Sequence, residues 1–469
     1  MFRADCSRKV PCVRPRARLV CLPAMALAVA ALVGCADPGA QVSKNARDEL
    51  GFSGSGTARA TLPAETAVAD SGMAHDFLDL AFQMESGRVL PVLSRFEGPI
   101  RIAVRGDMPP GASEDLSRLI GRLRAEAGID IALAPGGTSA QITVEFQPRA
   151  TLRRIAPTAA CFVVPGASSL EEYRRDRGSA AMDWGSVETR TLAAIFVPSD
   201  TSAQEVRDCL HEELAQAIGP LNDLYRLPDS VFNDDNFHTV LTPFDMAILR
   251  AYTAPELRSG MSRSEVARLL PRVFARTGTV ARASGRAPSP RTWLKAIQGA
   301  VAGGSGLSSR RTEAARALAL ADAQGWADAR TAFSHFAVAR LELTRDPALA
   351  ALHLDTAEAL WSRLPGTDIH RAHIDLQRAS MALAGGDPVT AIARADRALP
   401  AFTRSGNAAL GATALLIKAE ALNLMGRPAE ADGLRLDSRA LQGYGFGSGS
   451  DVEARVHEIA TLSQRMSSN

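Results

Sequence analysis

The chain of 469 residues is long enough for two or three domains, each with a core of its own. At 46% apolar, 22% charged and 5% aromatic it is neither disordered nor collagen-like, and a formal charge of +2 gives no electrostatic reason to expect nucleic acid. Six cysteines are too few to scaffold a chain of this length with disulfides.

The first segment reads as a leader. Arg3, Arg8, Lys9, Arg14, Arg16 and Arg18 stand against the single acid Asp5, and an apolar run follows from Leu19 to Val33. That run is short for a transmembrane helix, which needs about 20 residues, but suits the apolar centre of a secretory signal. It ends Leu32-Val33-Gly34-Cys35, which looks like a bacterial lipobox. The resemblance implies that residues 1–34 are removed and that Cys35 becomes the lipidated first residue; the other reading is an ordinary signal peptide that ends near a cysteine. Asp37 is third in such a mature chain, not second, so the expected location is the outer membrane, facing the periplasm. Removal of the leader leaves 47 basic and 50 acidic residues, so the balance turns to −3. Cys6, Cys12 and Cys21 leave with it, and Cys161 and Cys209 remain for an oxidising compartment. Two cysteines allow one pairing, against the alternative of two buried thiols.

Residues 35–73 are rich in Gly, Ala, Ser and Thr without apolar periodicity, and read as a flexible tether. Residues 74–278 then read as an α/β domain. A helix is expected around Asp76–Met84, a strand over Ile100–Val104, and an amphipathic helix with Leu116, Leu119, Ile120 and Leu123 on one face. Further strands are expected at Ile129–Leu133, Ile142–Phe146, Cys161–Val164 and Leu192–Val197. Ser202 can cap a helix that Gly219-Pro220 ends near Ile218, and another helix is expected over Pro243–Tyr252. Residues 279–308 read as a linker with a short helix.

From 309 to 469 the chain is nearly all helix former. Arg345-Asp346-Pro347, Gly386-Asp387-Pro388 and Gly426-Arg427-Pro428 recur with prolines 41 and 40 residues apart. Asp caps and Pro opens a helix in the first two, and periods of this size mean stacked helix pairs. With Ala391, Ala395, Ala398, Ala412, Ala414 and Ala419 the region resembles tetratricopeptide repeats; a non-repetitive bundle is the alternative. His370 and His373 are expected on an exposed helix face, and Trp326, Phe333 and Phe336 in a helix core.

The stretch that bears on chemistry runs from Cys209 to Asp223. His211-Glu212 does not begin the zinc motif H-E-x-x-H, because Ala215 stands where the second histidine belongs. One residue along, the metzincin pattern H-E-x-x-H-x-x-G-x-x-H aligns with Glu212, Glu213, Gln216, Gly219 and Asn222. The general-base glutamate (Glu213) and the turning glycine (Gly219) fit, whereas all three histidine places are changed. Val231-Phe232 and Leu241-Thr242-Pro243-Phe244-Asp245 resemble the Met-turn and closing helix of matrixins, with Phe232 in the place of the methionine. Gly136-Gly137 lacks the helix start of a phosphate loop, and no G-x-S-x-G is present.

These runs, together with Asn222-Asp223, Asn233-Asp234 and Pro255-Glu256-Leu257-Arg258-Ser259-Gly260-Met261, resemble a bacterial domain family of unknown function numbered 2927, over roughly residues 75–275. The resemblance implies a secreted or lipid-anchored protein with a metzincin-like fold and assigns no activity. The expected architecture is an α+β metzincin-like domain followed by an all-α tetratricopeptide-like region. One carboxylate and two amides (Glu212, Gln216, Asn222) make a poor zinc set, so neither metal nor cofactor is expected. Without a metal, Glu213 has no water to activate. His211 and His238 with Asp223, Asp234 or Asp235 form a second conceivable ligand set. The leading expectation is a non-catalytic envelope lipoprotein whose helical region binds a protein or peptide, with no nucleic-acid partner. The rivals are a divergent metallopeptidase or other hydrolase using Glu213, and a cell-wall or glycan binder.

Overall fold

The computed structural model describes residues 70–136, 138–278, 287–302 and 306–464. The leader, Cys35 and nearly all of the expected tether lie outside the described residues. Helix α1 (Asp70–Ala81) starts earlier than its sequence pattern suggested. Met73, Phe77 and Leu80 form one buried stripe at helical spacing, so residues 70–73 belong to the α/β domain and not to the tether.

The strands are β1 (Ile100–Arg105), β2 (Ile131–Leu133), β3 (Ile142–Gln147), β4 (Phe162–Pro165) and β5 (Ala193–Pro198). They form one sheet in the order β2-β1-β3-β5-β4, parallel except for β4, which runs antiparallel to β5 along the edge. Val144 stands opposite Ile195 in the register of the two central strands. Residues Ala193 to Val197 are buried without a break, as expected of a strand covered on both faces. Helix α2 (Ala112–Ala127) packs its Leu116, Leu119 and Leu123 stripe into the same core. Two short helices that the sequence did not announce, α3 (Arg149–Arg153) and α4 (Leu170–Asp176), cover a satellite cluster built on Leu152, Leu170 and Phe196.

After β5 comes α5 (Ala203–Ile218), then α6 (Pro243–Tyr252) and α7 (Arg263–Thr277). A disulfide joins Cys161, at the foot of β4, to Cys209 in the middle of α5. It closes a separation of 48 residues. In the chain-entropy picture such a loop stabilises the fold by about 4 kcal/mol. The pair Cys161→Ala and Cys209→Ala should therefore lower the urea midpoint markedly, and reductant should do the same to the unaltered protein. An unchanged midpoint in both would show that the link is dispensable.

The rest of the described chain is helical: α8 (Arg291–Val301), α9 (Leu307–Ala323), α10 (Ala329–Glu342), α11 (Pro347–Trp361), α12 (Asp368–Ala384) and α13 (Pro388–Arg404). Then follow α14 (Ala408–Leu424), α15 (Pro428–Asp437), α16 (Arg439–Phe446) and α17 (Gly449–Gln464). No described helix is long and apolar enough to cross a membrane. Pro347, Pro388 and Pro428 each open a helix; Asp346 accepts from Leu349 N at 2.9 Å and Asp387 from Thr390 N at 3.0 Å. Helix α8 is more than part of a linker. Trp293, Ala296, Ile297 and Ala300 lie in the helical core because they repeat at helix spacing on one face.

Helices α11 and α13 bury a single stripe each, for example Ala350, Leu354, Ala357 and Trp361. Helices α10, α12 and α14 are buried nearly all round, which requires a second partner on their far side. For α10 and α12 that partner is the α/β domain, whereas α14 is covered chiefly by α15, α16 and α17. Tyr225 and Phe237, both from its loop between α5 and α6, belong to the helical core. Phe237 sits among Phe336 (5.3 Å between ring centres), Trp361 (5.3 Å), His370 (4.3 Å) and His373 (4.5 Å). Gln204 Nε2 donates to Asn407 Oδ1 at 3.1 Å, and Tyr444 Oη to Asp115 Oδ2 at 3.1 Å. His370 and His373 are therefore not on an exposed face; His370 is completely buried under this loop. Phe333 and Phe336 are core residues, and Trp326 packs partly buried against them.

Candidate functional site

Helix α5 carries the motif. Ser202 caps it, accepting from Glu205 N at 3.1 Å, and the helix stops at Gly219. A Cβ at Gly219 would lie 2.9 Å from the Tyr252 ring of α6, so the close approach of the two elements requires glycine there. The last carbonyls of α5 turn to one buried guanidinium. Arg190 donates to the oxygens of Gln216 (2.7 Å), Ala217 (2.8 Å) and Gly219 (2.6 Å), and to Ser94 Oγ (3.2 Å). It satisfies acceptors that a helix end leaves open and places a cation at the negative end of the helix dipole. Burial lowers its pKa to about 10, so it stays charged at neutral pH.

The motif residues divide. Asn222 is turned away to the backbone, its Nδ2 donating to Asp79 O at 2.9 Å. Gln216 is buried and lies near Glu85, a residue of the hairpin after α1. Asp223 lies near the same Glu85. Asp234 lies near Tyr225 and near Gln298, which comes from α8 in the helical region. Glu212 faces this group of carboxyls; burial first, then Glu85, Asp234 and Asp208, push its pKa up to about 8. Burial raises Glu213 and Asp223 well above the ordinary carboxylate range, and neighbouring carboxyls add to it. Glu213 is 4% exposed, and its Oε2 has no hydrogen-bond partner.

The places of the three metzincin histidines thus serve different ends. Glu212 and Gln216 join the carboxyl group, whereas Asn222 fastens the following loop. Among the described residues, no group of three or more His, Cys, Asp or Glu side chains is arranged to hold a metal ion. The second histidine set does not assemble. His211 Nδ1 accepts from Leu241 N at 3.3 Å and has arginines as its charged neighbours, while His238 Nε2 lies 3.4 Å from Gly366 O. The motif around Pro243 has a structural meaning. Thr242 and Asp245 form a capping box for α6, and the Asp245 carboxylate also accepts from Ser230 Oγ (2.6 Å) and Val231 N (3.1 Å). Phe232, beside that anchor, is fully buried in the core of the α/β domain.

Three members of the site were not singled out from the sequence: Glu85, Arg190 and Gln298. Each meets α5 or its loop only through tertiary packing, and none has a local spacing that marks it.

A mixed sheet, a helix broken at a glycine and a carboxyl group at its end together define the α/β domain that the motifs pointed to. Residues 70–272 match the family model described as Protein of unknown function (DUF2927), which supports placing this part of the chain in that family. The helical region from α8 onward lies outside the match. No curated protein and no solved structure matches the chain.

Proposed function

We propose that this is an envelope lipoprotein, anchored through Cys35, whose metzincin-like α/β domain is non-catalytic and works with a tetratricopeptide-like helical region as a binding protein. The observation that carries the non-catalytic part is the use made of the motif. Asn222, in the place of the third ligand, is committed to Asp79 O. The helix carrying Glu213, its glycine break and the buried Phe232 support the metzincin-like reading. The helical region gives α10 and α12 to the α/β domain. The face left for a protein partner is the outer one, where Leu352, Val389 and Leu436 are exposed. A lipid anchor in the outer membrane would hold that face in the periplasm.

Metal analysis and a peptidase assay on the mature protein test the catalytic question. The expected result is zinc far below one per chain and no cleavage of casein. Stoichiometric zinc that disappears with peptidase activity in Gln216→Ala would establish the divergent metallopeptidase instead. Palmitate labelling tests the anchor; label should enter the unaltered protein and fail to enter Cys35→Ser.

A further inference from the structure

We propose that His335 and His353 form a binding site for one divalent transition-metal ion, with copper(II) the ion their geometry suits best. Helices α10 and α11 set the two imidazoles side by side, Nδ1 to Nδ1 at 2.8 Å, with ring centres 5.0 Å apart and planes 37° from parallel. Both side chains stand on anchored backbone. His335 lies between Ser334 and Phe336, both buried, and His353 beside Leu354, which is fully buried. From Ala329 to Leu343 every residue except His335 and Arg340 is buried, so a helix otherwise enclosed by protein opens to solvent at His335. His353 is likewise partly exposed, on the outer of the two helices. The pair is accessible and rests on two packed helices, which hold ligands more firmly than loops do.

Without a metal the pair makes one hydrogen bond, in which one Nδ1–H donates to the other Nδ1. Imidazole is chiefly neutral at pH 7 and is the commonest protein ligand for such ions. A metal between the rings takes both Nδ1 lone pairs. The donor ring then carries its proton on Nε2, so no proton is lost overall. The span selects the ion. With metal–nitrogen bonds of about 2.0 Å, nitrogens 2.8 Å apart subtend about 90° at the metal. That is the angle between neighbouring ligands in a square-planar or tetragonal centre, the geometry of copper(II) and nickel(II). A tetrahedral zinc centre needs its nitrogens about 3.3 Å apart. Copper(II) also heads the affinity order for a given set of nitrogen ligands. Among the described residues no third His, Cys, Asp or Glu completes the set, which leaves the remaining positions to water. The inference concerns a different part of the molecule from the α5 motif and rests on neither the anchor nor the binding role proposed above.

Titration of the mature full-length protein, free of any affinity tag, with copper(II) chloride tests it, read by calorimetry and by pulsed electron paramagnetic resonance. One copper per chain is expected, with the nitrogen couplings of two imidazoles. His335→Gln and His353→Gln should each weaken binding at least about tenfold, since groups one step removed from a metal already contribute that much. Each should also reduce the spectrum to one imidazole at most. His457→Gln, an exposed histidine on α17, should change neither readout. Circular dichroism melting shows whether each variant is folded, and the spectrum of the unaltered protein decides the question even where one is not. No copper bound, couplings from one imidazole or none in the unaltered protein, or full binding by folded His353→Gln would each overturn the proposal.

Discussion

Replacing Arg190 with alanine is expected to cost about 4 kcal/mol of stability. The side chain is 4% exposed and donates to three carbonyls at the end of α5. Without it those acceptors stay buried with no donor, and the helix dipole loses its cation. The guanidinium also lies 4.7 Å from the Trp184 ring, a contact that alanine removes as well. Arg190→Lys should recover only part of the loss, because an ammonium cannot match three oxygens with a planar fork. Urea unfolding of the three proteins gives the comparison. A cost below about 1 kcal/mol for the alanine variant would mean that water reaches the helix end and replaces the guanidinium.

Acid should loosen the contact between the two halves. His238 and His370 are held to about 4 and about 3 respectively, both chiefly by burial, and His238 Nε2 reaches across to Gly366 O of the helical region. His370 faces Asp235 of the loop at 3.4 Å, and His373 and Phe237 stand beside it. Arg340 of α10 also acts on His373. A histidine whose folded pKa is lowered stabilises the fold only above its unfolded value, near 6.5, and that stability is lost as the pH falls. For His370 the loss between pH 7 and pH 5 is about 2 kcal/mol. The buried acids act in the opposite sense. Asp235, raised to about 7, and Glu212, raised to about 8, destabilise the fold as pH rises from the ordinary carboxylate range up to those values and so favour it as pH falls. A difference measurement removes their contribution. His370→Gln should lose about 2 kcal/mol less than the unaltered protein between pH 7 and pH 5. Equal losses would place the titration elsewhere.

The parts of the fold legible in the sequence are those decided within four residues. Ser202, Gly219-Pro220, Thr242-Pro243 and the three recurring prolines mark helix ends because capping is local chemistry. The β-strands were legible through apolar runs, to within a residue or two at each end. The motif spacing puts Glu212, Gln216 and Asn222 around one place; Asn222 turns instead to Asp79 O, and the neighbour of Glu212 and Gln216, Glu85, lies in a hairpin far back in the chain. Nothing near Arg190 distinguishes it from the exposed arginines, since its meaning comes from carbonyls that arrive later. His370 and His373 show the same limit in reverse. Their i, i+3 spacing describes one helix face, but whether that face meets solvent depends on a loop more than a hundred residues earlier.

Phe237 and Tyr225 have a consequence for how the chain can be divided. They are α/β residues that complete the helical core, packed against Trp361 and Trp293 respectively. Cutting the chain at 279–308 would open an apolar socket on one fragment and leave two aromatic plugs in water on the other. Neither fragment is a portable module. The protein should denature in one transition rather than two, and the residues beyond the family match are as much a part of the domain's folding as the sheet itself.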